Sequence, residues 1–152
     1  MVTGLPRVLH VMTSARRLPG GRVGIAAVLR WQETGETRTA VRRLGRYEST
    51  RSSYRAVLHG LWEARRMGAR HIVLSTDDPS VAAQLAGADG PTPETIGLYL
   101  QARALCNAFR SAEVRQAEPD NHPGAWEAAL AAERSGAPGP ATYADLPLWA
   151  AS

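Results

Sequence analysis

Lysine is absent from the 152 residues, so all 18 basic side chains are arginine. Guanidinium forks suit phosphate oxygens, although a GC-rich coding bias leaves the same mark. Cysteine is nearly absent too: Cys106 stands alone, which excludes an internal disulfide and a cysteine metal site and fits a reducing cytoplasm. No apolar run approaches the roughly 20 residues that span a bilayer, and the opening MVTGLPRVLHV lacks a signal-peptide pattern. A soluble, cytoplasmic chain with no membrane partner is therefore expected. Aspartate is missing from residues 1–70, which hold 14 Arg and 4 Glu for a net +10, whereas residues 71–152 sum to −6. A basic half beside an acidic half permits nucleic-acid binding on one side; a solvated arginine surface is the plain alternative.

What is present is organised around residues 49–85, STRSSYRAVLHGLWEARRMGARHIVLSTDDPSVAAQL. Tyr54, Val57, Leu58, Leu61, Trp62 and Met67 recur at three- and four-residue spacing, which predicts one apolar stripe on a long helix. Ser49 or Thr50 caps its start and Gly68 stops it. His71–Thr76 is β-branched and apolar on successive positions, as in a strand covered on both faces. It ends at Asp77-Asp78-Pro79, where a strand hands over to a helix over 79–85 with Pro79 in the first turn.

The rest of the chain follows the same logic. Residues 7–12 predict a first strand, 13–22 a loop, 23–31 a second strand, and 37–44 a third after a turn at Glu33–Glu36. A helix is expected over 94–109 with Ile96, Leu98, Leu100, Ala104, Leu105 and Phe109 inward, then a short strand over 113–117 and a last helix over 125–134. The tail, residues 135–152, is Pro- and Gly-rich but carries Tyr143, Leu146, Leu148 and Trp149, which predicts docking on the domain of residues 1–134 or on a second copy.

Three antiparallel strands, helix, strand, helices, strand and helix is the plan of an α/β fold with a five-stranded mixed sheet flanked by helices, the ribonuclease H-like fold. The residues resemble that family too. SSYRAVLHGLWEARRMGARHIVLSTDDPSVAAQL is similar to its stretch in which a catalytic Glu precedes Tyr, an A-L-x-x-G-L-x-x-A helix follows, and a strand delivers a catalytic Asp before a V-x-x-Q-L helix. PGGRVGIAAVLR resembles its glycine-rich entry to strand two, and NHPGAWEAALAA its final loop and helix. The resemblance covers residues 7 to 134.

Family members that cut the RNA strand of an RNA–DNA hybrid hold two Mg²⁺ ions with four acids. The resemblance assigns the strand-four acid to Asp77. At the other three positions stand Thr13 (Met12 or Ser14 under other gap placements), Ser53 and Ala128. Asp78 and Glu127 are candidate substitutes, but one residue along a helix is a turn of about 100°. A lone carboxylate cannot neutralise two divalent ions about 4 Å apart. The expectation is a lost nuclease centre with no cofactor: Asp78 caps a helix, and at most one weak Mg²⁺ sits at Asp77.

His122 is read as a surface-loop residue, His10 and His71 as packing or capping residues, and His59 as lying on the wet side of the long helix. Two function classes follow. The first is a non-catalytic module binding RNA or an RNA–DNA hybrid, with Arg16, Arg17, Arg22, Arg42, Arg43, Arg46 and Arg51 on phosphates and Ser49, Thr50, Ser52 and Ser53 on backbone or 2′-hydroxyl groups. The second is an assembly domain, a homodimer or a complex with a protein partner, anchored by Trp31, Trp126, Tyr143 and Trp149. A divergent Mg²⁺- or Mn²⁺-dependent nuclease using Asp77, Asp78, Glu127 and Asp120 is the third alternative.

Overall fold

The structure, a computed structural model, describes residues 7–17, 20–44, 49–118, 122–123 and 127–128. Eight elements follow in chain order: β1 (Val8–Arg17), β2 (Val23–Trp31), β3 (Thr37–Leu44), α1 (Ser49–Arg66), β4 (His71–Thr76), α2 (Pro79–Leu85), α3 (Ile96–Asn107) and β5 (Ser111–Gln116). The strands form one mixed sheet in the order β3-β2-β1-β4-β5. β1 pairs antiparallel with β2 and parallel with β4, and β4 pairs parallel with β5. This is the ribonuclease H-like architecture that the element order predicts. Among the described residues no helix is long and apolar enough to cross a membrane.

The sheet and α1 share the core. On α1, Tyr54, Val57, Leu58 and Leu61 are fully buried, and they pack with Leu9 and Val11 of β1, Leu29 of β2 and Ile72 and Leu74 of β4. Helix and sheet approach closely at Gly60. A Cβ there would lie 2.8 Å from Thr13 Cγ2, 2.8 Å from Val11 Cγ1 and 3.2 Å from Ala27 Cβ. The glycine therefore sets the distance between α1 and the two central strands at this point. Gly68 ends the α1 turn at φ +76°, a conformation that side chains with a Cβ rarely adopt.

Several expectations need correction. β1 does not stop at Met12 but runs on to Arg17, paired through Arg17↔Val23. Its polar end, Ser14, Arg16 and Arg17, reads as loop by composition, yet Thr13 and Ala15 keep the strand alternation opposite Ala27 and Ile25. In α3, Ile96 and Leu100 are 43% and 58% exposed, and Ala104 is exposed. Ala102, Leu105 and Phe109 are buried and Leu98 packs against them. Two residues from Leu98 in either direction is about 200° around the helix, which turns Ile96 and Leu100 to the far side. Trp31, expected as an interface anchor, is 7% exposed in the core, with the Arg7 guanidinium 4.2 Å above its ring. β5 spans Ser111–Gln116 rather than 113–117. Of the final helix only residues 127 and 128 are described, both helical; Trp126, the tail and its Tyr143, Leu146, Leu148 and Trp149 lie outside the described residues.

Candidate functional site

The parallel register Val8↔His71 through Thr13↔Thr76 brings the end of β4 alongside β1, so that the next residues along, Ser14 and Asp77, are neighbours. Asp77 is 8% exposed. Its Oδ2 accepts a hydrogen bond from Ser14 Oγ at 2.8 Å and an ion pair from Arg16 Nη2 at 2.7 Å. Arg16 Nη1 is fixed in turn, donating to Ser14 Oγ and to the Ala15 carbonyl, each at 2.9 Å. Ser14 and Arg16 are two apart on one strand and so face the same side. A charge-assisted contact of this geometry is among the stronger polar interactions in proteins.

Thr13 faces the other way. Its methyl meets the Gly60 backbone of α1, and its hydroxyl donates to the Ser75 carbonyl at 3.2 Å. The strand-one side chain beside Asp77 is therefore Ser14, one of the two other placements of the acid position. Asp78 does what an Asp before Pro does at a helix start: its Oδ1 accepts from Ser80 N at 2.9 Å and Val81 N at 3.2 Å, capping α2. Ser53 is 6% exposed and Ser52 2% exposed, and both open on a cavity of about 290 Å³ that Arg16, Arg17, Asp77 and Asp78 also line. Ala128 is fully buried and Glu127 half-buried. Among the described residues, no three His, Cys, Asp or Glu side chains gather as a metal site would require.

Two histidines lie where sequence reasoning did not put them. His122 is 4% exposed, and its Nε2 donates to the Thr13 carbonyl at 2.5 Å, which buries it against β1 rather than leaving it on the surface. His59 is 2% exposed, not on the wet side of α1; neither ring nitrogen has a hydrogen-bond partner among the described residues. Burial, followed by the Arg42 and Arg66 charges, pulls its pKa down to about 3. Arg42, expected on phosphates, is 6% exposed and packs inside. Arg17, Arg22 and Arg51 are exposed and Arg43 half-buried, while Arg46, Asp120 and the side chains of Ser49 and Thr50 lie outside the described residues. The registers Arg17↔Val23 and Gly24↔Arg43 put Arg17, Arg22 and Arg43 at the sheet end where Asp77 lies.

A family model described as reverse transcriptase-like matches residues 17–129, most of the chain. The chain belongs to the reverse transcriptase-like family, within the ribonuclease H-like superfamily. Solved structures agree on the fold. The N-terminal RNase H domain of a Mycobacterium tuberculosis protein, fused to maltose binding protein, aligns with TM-score 0.79 at 22% identity, over 86% of this chain and 99% of that one. RNase H1 of the halophilic archaeon Halobacterium salinarum aligns with TM-score 0.74 at 22% identity, over 84% and 96%. LC11-RNase H1, solved in complex with an RNA/DNA hybrid, aligns with TM-score 0.73 at 14% identity, over 86% and 99%. No curated protein matches the chain in sequence. In this member of the reverse transcriptase-like family, Asp77 at the end of β4 is held by the Arg16 guanidinium and the Ser14 hydroxyl, and Ser53 on α1 stands where the sequence resemblance would call for an acid.

Proposed function

We propose that this chain is a nucleic-acid-binding module of the ribonuclease H fold, engaging RNA or an RNA–DNA hybrid without cutting it by two-metal chemistry. The observation that carries the reading is the Arg16–Asp77 ion pair at 2.7 Å. Two Mg²⁺ ions demand several hard, anionic oxygens. The described residues do not fit them: the one carboxylate at the family position is neutralised by a guanidinium, its neighbours are the hydroxyls of Ser14 and Ser53, and Asp78 is engaged by α2. A single Mg²⁺ at Asp77 would first have to displace Arg16. No cofactor is needed for the proposed role.

Binding is supported by the family, by a structural neighbour solved with a hybrid, and by the exposed arginines around the same end of the sheet. Neutralising phosphates releases counterions, so affinity for a labelled hybrid should fall steeply between about 50 and 200 mM salt. Fluorescence anisotropy in EDTA and in MgCl₂ tests this. Equal, salt-sensitive binding in both buffers is expected; binding that is absent, or that appears only with the divalent ion, would overturn the reading.

A further inference from the structure

The cavity beside Asp77 is asymmetric in how its polar groups are satisfied. Both of its carboxylates already have partners: Asp77 Oδ2 takes Ser14 and Arg16, and Asp78 Oδ1 takes two backbone N–H groups. Two of its donors do not. Ser53, 94% buried by its 6% exposure, lines the cavity without a side-chain hydrogen bond to any described residue, and the exposed Arg17 guanidinium pairs with no described acid. Arg16, whose side chain is 31% exposed, brings a second fixed positive charge to the wall. Carboxylates already drawn to a guanidinium and to the N–H groups of α2, beside a hydroxyl and guanidinium groups that line the cavity, suit an anion rather than a cation.

We propose that this cavity holds one phosphate group directly, on Arg16, Arg17 and the Ser53 hydroxyl, with no divalent ion between protein and phosphate. That the phosphate belongs to a nucleic-acid backbone rests on the function proposed above; the phosphate site itself does not. Asp77 then acts as a positioning residue that aims Arg16 while competing for it.

The sign of the Asp77 effect separates the two kinds of site. Removing its charge strengthens an anion site and ruins a cation site. The test is titration of inorganic phosphate, then of a short RNA–DNA hybrid, into the full chain in EDTA, followed by calorimetry. Saturable phosphate binding is expected. Arg16→Ala should weaken it about tenfold, as loss of a charged hydrogen-bond donor does, and Asp77→Asn should tighten it by roughly threefold or more. Ser53→Ala, a benign change in a helix, should weaken it about threefold, which keeps the test valid if Arg16→Ala folds poorly. Arg110→Ala, which removes an equal charge elsewhere, should leave it unchanged.

No saturable phosphate binding, an Arg110→Ala loss equal to that of Arg16→Ala, or weaker binding in Asp77→Asn would each overturn the proposal. Hybrid binding without phosphate binding would overturn this site alone and leave the proposed function standing. Phosphate binding without hybrid binding would do the reverse, and would mark the source of the ligand as a free phosphate.

Discussion

Replacing Gly60 with alanine tests whether the contact between α1 and the sheet is as tight as the geometry says. Two effects oppose each other. Alanine in a helix interior is favoured over glycine by about 1 kcal/mol. The added methyl, however, would lie 2.8 Å from both Val11 Cγ1 and Thr13 Cγ2 and 3.2 Å from Ala27 Cβ, and overpacking a well-filled core costs about 1–3 kcal/mol. The neighbours cannot easily give way, because Val11 and Thr13 are β-branched, with few χ1 choices, and are fully buried on a central strand. With two contacts at 2.8 Å the overpacking term falls in the upper part of its range, about 2–3 kcal/mol, so it should win by about 1–2 kcal/mol, a fall in Tm of roughly 3–6 °C for a domain of this size. Urea and thermal unfolding followed by circular dichroism measure it. Thr13→Ser removes one of the two clashing methyls, so the double variant should recover part of the loss, a non-additivity expected only of residues in contact. A Gly60→Ala protein as stable as the wild type, or more so, would refute the reasoning.

Three further outcomes follow from buried polar groups. His59 has a folded pKa near 3 against about 6.5 unfolded, so its contribution is intact above pH 6.5 and is lost as the pH falls towards 3. The slope approaches about 1.4 kcal/mol per pH unit, and His59→Leu should flatten the acid limb of a pH–stability curve while raising stability at pH 7; an unchanged limb would contradict this. Tyr54 donates to Gln84 Oε1 at 2.5 Å inside the core, so Tyr54→Phe leaves a buried amide oxygen unpaired and should cost about 1–3 kcal/mol in denaturant unfolding. Arg16→Ala removes the cation from an Asp77 side chain that is 4% exposed; with Arg16 itself partly solvated, a loss of about 1–3 kcal/mol in denaturant unfolding at pH 7 is expected. A variant as stable as the wild type would show the pair to be energetically idle.

The sheet was largely legible because its signals are local and repeated. Val23–Trp31, Thr37–Leu44 and His71–Thr76 alternate or run apolar between turn residues, and the stripe on Ser49–Arg66 repeats every three to four residues. Asp78 as a cap was legible from Asp-Pro alone. The site itself was less so. Its deciding pair joins residues 16 and 77, and the pairing depends on β1 continuing through a segment whose arginines and serine look like loop. Had the alternation Val11, Thr13, Ala15 been followed past Met12, Ser14 and Arg16 would have fallen on one face beside the end of β4. The burial of His59, Arg42 and His122 was not legible, because each polar side chain is covered by elements distant in sequence. On α3 the apolar residues at 96, 98 and 100 alternate two by two, a strand-like spacing within a helix, and only those in phase with Ala102 and Leu105 can face inward.

The proposed function requires that Asp77, ion-paired with Arg16, serve no metal. Incubating a labelled RNA–DNA hybrid with the wild-type chain and with Asp77→Asn, in Mg²⁺ and in Mn²⁺, tests it most directly. Intact hybrid in every lane is expected; cleavage by the wild type that requires the metal and disappears in Asp77→Asn would show instead that Asp77 holds a catalytic metal.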